Sequence, residues 1–278
     1  MEKNEIKSKH AKGWLYVLKR LTRIFIKLGM RDYLIRLFSL ILYLFFKIQN
    51  NLKIIGKENL PKKVAYLVVG NHSSIADAGL ILAVLNGLFG RRFYYISHAR
   101  DFKKDNFQRY FHLLLEGKPR IGSGESLVKY MVNKLLEGKV VVIAPEGMYN
   151  KDGKIMKGYT GAARVFYYAN QKSKVPIPIV PVASIGAHNA YPTTPDKNGK
   201  FHIYRKGIIG RIGKPFFLTR INPKKISELN EDELYKIFKE DTDYIMKKIA
   251  NLALQKEGVV NSWIKGKNNS KQKRYYKF

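Results

Sequence analysis

Val64-Ala65-Tyr66-Leu67-Val68-Val69-Gly70-Asn71-His72-Ser73-Ser74-Ile75-Ala76-Asp77 is the stretch on which the reading of this chain turns. Its first half is a short β-branched run that stops at a glycine, the pattern of a buried strand. A polar turn follows, and residues 75–88 then form an apolar stretch of helical length. Strand, turn and helix recur downstream. Residues 93–96 read as a strand, 105–115 and 125–136 as helices, 140–143 as a strand running into Pro145, and 160–170 as a helix. Residues 177–182 read as a strand despite their prolines. Two further strands are expected around 201–209 and 216–218, before a helix over 231–255. Strands separated by helices predict an α/β domain whose largely parallel sheet is covered by helices on both faces.

Composition narrows the class. The 278 residues are 45% hydrophobic and 13% aromatic, which excludes a disordered or collagen-like chain. With no cysteine, a disulfide scaffold, a thiolate zinc site and a cysteine nucleophile are all excluded. The 52 basic and 21 acidic residues leave a net charge of +31. A surplus of that size calls for a polyanion: nucleic acid, an anionic membrane surface or phosphorylated substrates.

The first fifty residues differ from the rest. Residues 14–28 set Trp14, Leu18, Leu21, Phe25 and Leu28 near helical spacing, with Lys19, Arg23 and Lys27 on another face. After a break at Gly29, residues 33–48 are almost wholly apolar, interrupted by Arg36 and closed by Lys47. The uninterrupted core, 37–46, is half of the roughly 20 residues that a spanning helix needs. It is therefore predicted to lie in or dip into one leaflet, a tilted span and a buried hairpin of core helices being the alternatives. The apolar run starts late and no small-residue cleavage site follows, so a cleaved signal peptide is not expected. Lysines and arginines on both sides of the run favour a membrane-bound protein with its main domain on the cytoplasmic side. The organisation expected is membrane-anchoring helices over 1–50, a main domain over 51–258 and a basic tail over 259–278.

His72 sits where an α/β sheet presents functional groups, just past the carboxyl end of a strand. A neutral imidazole can take a proton from an alcohol near neutral pH, and a carboxylate on its other nitrogen fixes the tautomer and stabilises the imidazolium. Asp77 is the candidate carboxylate. On one continuous helix, residues five apart are rotated by about 140°, so the pair meets only if His72 precedes the helix and Asp77 lies in its first turn. The competing reading makes Asn71, Ser73 or Ser74 a helix cap, Asp77 a complement to the helix dipole and His72 an ordinary loop residue.

Four ordered blocks bear on that choice. Ile55-Gly56-Lys57-Glu58-Asn59-Leu60-Pro61 leads into Asn71-His72-Ser73-Ser74 and Asp77; Arg120 follows Gly117; Ala144-Pro145-Glu146-Gly147 follows a strand and precedes Lys157-Gly158 and Gly161-Ala162-Ala163-Arg164; and Val175-Pro176-Ile177-Pro178-Ile179-Val180-Pro181-Val182 precedes Ile212-Gly213-Lys214-Pro215. Over residues 54–215 the chain resembles the glycerophospholipid acyltransferases, the family of lysophosphatidic acid acyltransferase. The resemblance implies an α/β acyltransferase domain with an N-terminal helical membrane anchor. His72 would be the catalytic base and Asp77 its partner, while Arg120, Glu146 and Gly147 would bind substrate. It also implies an acyl-CoA or acyl-carrier-protein donor, a lysophospholipid acceptor, most of all 1-acylglycerol-3-phosphate, anionic membrane lipids as partners, and no metal or separate cofactor. The third block departs from the family: Met148-Tyr149-Asn150 stand where Thr-Arg-Ser is usual, so the block's arginine has no counterpart.

Physical chemistry is compatible with that assignment. Acyl transfer from a thioester needs a base for the attacking hydroxyl and donors for the developing oxyanion, and neither a metal nor a thiol nucleophile. Glu146, an acceptor-only group when ionised, suits an acceptor hydroxyl or the organisation of its own loop. Arg120 suits phosphate because its planar fork binds an anion bidentately. Two readings compete: a non-catalytic lipid-binding relative, which the altered third block permits, and a nucleic-acid-binding protein. The second has the charge and a tail pairing lysines with Tyr275 and Tyr276, but no recognisable nucleic-acid motif, and none is expected to bind.

Overall fold

The computed structural model describes residues 29–97, 115–148 and 153–254, together with Arg20, Ala99 and His112. The expected amphipathic helix over 14–28, nearly all of the 105–115 helix and the basic tail lie outside the described residues. Helix α1 (Arg31–Asn50) leads into strand β1 (Lys53–Ile55), followed by β2 (Tyr66–Gly70) and α2 (Asp77–Ile81), which continues as a wider π-helical segment, Leu82–Leu88. Then come β3 (Phe93–Tyr94), β4 (Ile96–Ser97), β5 (Lys118–Pro119), α3 (Gly124–Leu136), β6 (Val140–Ile143), α4 (Gly161–Lys172), β7 (Ile179–Ile185), the short α5 (Ala187–Ala190), β8 (Ile209–Ile212) and α6 (Glu231–Leu254).

Six strands form one sheet in the order β1-β8-β7-β2-β6-β3, and β4 pairs with β5 separately. All neighbours in the large sheet run parallel except β7 and β8. The expected largely parallel sheet is therefore present, with one antiparallel pair that turns β8 and β1 against the other strands. Because β2 is central, every one of its five residues is buried, and the period-two alternation of a strand divides them between two cores. Tyr66 and Val68 pack with α1, α2 and the π segment; Leu67 and Val69 pack with α3, α4 and α6. Val140 and Val141 on β6, and Ile179 and Val180 on β7, divide the same way.

Several expectations need correction. The strand expected around 201–209 does not form: 201–208 are irregular and β8 begins only at Ile209, while 216–218 contributes a single bridge from Phe216 to Ile179. Residues 93–96 are split between two sheets. The helix expected from residue 75 starts at Asp77 and widens at Leu82. Among the described residues no helix is long and apolar enough to cross a membrane, so the tilted span falls.

Helix α1 instead has two apolar faces. Ile35 and Phe46 belong to the core beneath the π segment. Leu37, Ile41, Leu44 and Ile48, at helical spacing, point outward and are exposed. The contact with the π segment is close because Gly87 has no side chain: a Cβ there would stand 2.4 Å from the Ser39 carbonyl oxygen and 2.8 Å from its carbon. Those are backbone atoms, and relief requires the two helices to separate. Gly87→Ala is expected to lower stability by about 1–3 kcal/mol, read as a reduced denaturation midpoint. An unchanged midpoint would show that α1 adjusts freely on its support.

Candidate active site

Parallel strands β6 and β2 end side by side, in register from Val69 to Ile143, and Gly70 at the end of β2 lies beside Val182, three residues before the end of β7. The residues singled out from sequence gather at this edge. His72 lies before α2 and Asp77 opens it, which satisfies the geometric condition for the pair. His72 Nδ1 stands 3.0 Å from Asp77 Oδ2. The capping reading is realised in part alongside the pair: Ala76, the residue before α2, makes no side-chain cap, but the Ser74 hydroxyl accepts the Ala76 N–H at 3.1 Å.

Asp77 is held from three directions. Its Oδ2 also accepts the Ser74 backbone N–H at 2.8 Å, and its Oδ1 accepts the Ser184 hydroxyl at 2.9 Å. Ser184, near the end of β7, was not among the residues singled out from sequence. Only a polar residue closing an apolar strand marks it. It is itself fixed by Asn71, whose side-chain oxygen accepts the Ser184 N–H at 2.9 Å and whose amide donates to the Ser184 carbonyl at 3.1 Å. Asn71 thus adds one rung to the β2–β7 ladder beyond the last strand residue, and that rung delivers the hydroxyl to Asp77. Ser74 anchors the turn from below, donating its hydroxyl to the Tyr191 carbonyl at 2.8 Å.

Glu146 has a different place. It is 1% exposed, its Oε1 accepts the His72 backbone N–H at 2.9 Å, and its Oε2 accepts the Met156 N–H at 2.8 Å. Both oxygens are therefore committed to backbone, and the carboxylate ties the His72 turn to the loop after β6. Of the two roles open to it on sequence grounds, the geometry matches loop organisation. Burial pushes its pKa up to about 7, against the pull of the two N–H donors and of His72. Gly147 has a φ of +72° in the turn closed by its N–H on the Ala144 carbonyl, and a Cβ would meet the Tyr159 ring at 3.1 Å. Turn geometry and Tyr159 account for a glycine here.

A cavity of about 940 Å³ opens over this edge, near the top of the ~300–1,000 Å³ range of small-molecule sites. His72, Asp77, Arg120 and Gly147 all line it, and Glu146 does not. Most of the wall is apolar and drawn from both cores, with Leu80 and Val84 from one and Val128 and Met131 from the other. The exposed Arg120 follows β5, its backbone N–H donating to the Ser97 carbonyl at 2.8 Å. Arg164 on α4, only 6% exposed, is a second cation in the wall; in the sequence it stood out only as part of the third block's sequel. Among the described residues no group of three or more His, Asp or Glu side chains is placed to hold a metal. Tyr149, Asn150 and Lys151 lie outside the described residues.

Comparison with known proteins finds relatives at the level of family and of fold. The family model described as Acyltransferase matches residues 51–185. Among solved structures, the chain is similar to the 1-acyl-sn-glycerophosphate (LPA) acyltransferase PlsC from Thermotoga maritima, with a TM-score of 0.57 and 19% sequence identity over 88% of this chain and 98% of that one. At that identity the likeness speaks for the fold. No curated protein matches the chain.

The raised pKa of Glu146 fixes the sign of a stability effect. Its folded value of about 7 lies above the ordinary 4.5, so the folded state holds the proton more tightly. The contribution is complete below pH 4.5 and is lost as pH rises through 7. Since each tenfold change in proton affinity is worth about 1.4 kcal/mol, wild type should lose about 3 kcal/mol relative to Glu146→Gln across that window. Urea unfolding of both proteins at its two ends tests this; parallel curves would mean that Glu146 titrates at an ordinary value.

Proposed function

Residues 51–185 belong to the acyltransferase family and the chain is an acyltransferase, and from that premise we propose that it moves a fatty acyl group from an acyl thioester, on CoA or on an acyl carrier protein, to the hydroxyl of a lysophospholipid. A 1-acylglycerol-3-phosphate is the acceptor that best fits. The observation carrying this reading is the His72–Asp77 pair, 3.0 Å apart and lining a large, mostly apolar cavity.

The steps follow from the pair's orientation. With Nδ1–H donating to Asp77, the Nε2 lone pair of His72 takes the proton of the acceptor hydroxyl. The hydroxyl oxygen attacks the thioester carbonyl carbon, giving a tetrahedral oxyanion. Asp77 stabilises the imidazolium and, through its bonds from Ser74 and Ser184, holds the ring in place. Collapse of the intermediate breaks the C–S bond, the thiolate leaves, and it recovers the proton from His72. The new oxygen ester and a free thiol are the products, so atoms and charge balance. Glu146 acts through the backbone, tying the His72 N–H to that of Met156. Arg120, exposed and in the cavity wall, is assigned the acceptor's phosphate.

Association with a membrane surface belongs to the same proposal. The outward apolar stripe of α1 and the +31 charge support contact with an anionic leaflet from one side.

Replacing His72 with alanine should reduce thioester-dependent acylation by about 10²–10⁴-fold while leaving the fold intact by circular dichroism. Transfer at the wild-type rate would remove the base. Arg120→Ala should raise KM for a phosphate-bearing acceptor about tenfold or more and leave KM for the donor near its original value, since a charge-assisted anion contact contributes about 1.5–3 kcal/mol. An equal rise in both would take the phosphate away from Arg120.

A further inference from the structure

The seven residues Lys200-Phe201-His202-Ile203-Tyr204-Arg205-Lys206 precede β8, and every one of them is exposed. Phe201 and Ile203 are 56% and 61% open to solvent, and neither belongs to either core. The polar partners of the segment are satisfied nearby: His202 pairs with Asp196 at 2.6 Å and stacks on Tyr204, with ring centroids 5.9 Å apart. Lys200, Arg205 and Lys206 supply three cations and the segment has no acid. A stretch that displays Phe and Ile between cations gains nothing from water; contiguous exposed apolar groups mark a surface that another phase or molecule covers.

Topology fixes where the segment lies. Because β8 is antiparallel to β7, with Ile209 opposite Ile185, the chain enters β8 at the edge where β7 ends and Ser184 meets Asp77. The carboxyl end of α1 reaches the same place. Asn50 donates to the carbonyls of Tyr204 at 3.2 Å and Lys206 at 2.9 Å, and β1 begins beside Ile209. The exposed segment, the end of α1's outward stripe at Ile48 and the His72–Asp77 pair therefore share one edge of the sheet.

We propose that residues 200–206 are an interfacial docking element that inserts Phe201 and Ile203 into an anionic phospholipid leaflet and seats the catalytic edge on it. The element takes its purpose from the lipid-acyltransferase reading, while its lipid contact stands independently. Exposed Phe and Ile interspersed with Lys and Arg match the composition of a segment at a bilayer interface, where apolar groups enter the acyl boundary and cations meet the headgroups. A second copy of the chain, itself at +31, is repelled from the same patch.

The chain has no cysteine, so a single one can be placed at will. Phe201→Cys in the full chain, labelled with an environment-sensitive nitrobenzoxadiazole, should shift to the blue and brighten with vesicles of phosphatidylglycerol and phosphatidylcholine. The response should be far smaller with phosphatidylcholine alone. The same label at Lys225→Cys, in the turn before α6, should respond weakly. Phe201→Ser with Ile203→Ser should cosediment with the anionic vesicles about tenfold less well, and should penalise vesicle-embedded acceptor about tenfold more than a dispersed short-chain acceptor. Cosedimentation of the labelled protein without a spectral change would overturn the proposal. So would a shift produced by an acidic carrier protein in the absence of lipid, which would make the patch a protein site. A lipid-induced shift in a protein that acylates nothing leaves the docking element standing and removes the catalytic reading; acylation without a shift does the reverse.

Discussion

The parallel pairing of β2 with β6 on one side and β7 on the other is the constraint on which the site depends. It brings three strand ends to one edge, so that His72, Glu146 and Ser184, separated by more than a hundred residues from first to last, become neighbours. A one-residue slip would exchange the cores that Tyr66 and Leu67 enter, and two packed faces forbid that. The register is therefore set by burial far from the chemistry. Asn71 then converts register into position, because its two bonds to the Ser184 backbone hold the hydroxyl against Asp77.

Electrostatics adds a second connection at the same edge. Glu146 is buried with both oxygens receiving backbone N–H groups, one of them from His72 itself. A buried carboxylate is costly, and here desolvation outweighs the two donors and brings its pKa into the neutral range. A side chain so placed, 1% exposed and outside the cavity wall, does not meet a substrate hydroxyl in the cavity. What it provides is a tie between the backbone of the His72 turn and that of Met156. Among the described residues the cations in the cavity wall are Arg120, Arg164 and Arg211.

How far the sequence could be read depended on whether a signal was local. Val140–Ile143 was visible with its final bounds, since a four-residue apolar run ending at Ala144-Pro145 has few alternatives. The meeting of His72 and Asp77 was legible as a condition on where α2 starts. Ser184 was not, because its partner lies 107 positions away and nothing in Val182-Ala183-Ser184 announces a bond to a carboxylate. Strands β1 and β5, three and two residues long, carry too little pattern to be detected. The misreading of residues 201–209 has a physical reason of its own. Phe201, Ile203 and Tyr204 have the hydrophobicity of a strand core, but hydrophobicity reports a preference for leaving water and is silent on whether protein or something else provides the refuge.

The same ambiguity governs α1. Its sequence suggested a helix in a leaflet, and the fold gives it two environments at once: Ile35 and Phe46 inside the protein, Leu37, Ile41, Leu44 and Ile48 outside it. A helix committed on one face to Gly87 and the π segment cannot leave the domain to cross a bilayer without exposing that core. It can offer only its outer stripe, and it does so while its final residue, Asn50, accepts the Tyr191 hydroxyl at 2.5 Å and Tyr191 in turn holds Ser74 through its carbonyl. One residue, Tyr191, with a hydrogen bond on either side, thus separates the end of the outward-facing helix from the turn that carries His72. A surface that met α1 and the 200–206 segment would press on a rigid part of the domain, so the distance from that surface to His72 would be set by the fold itself.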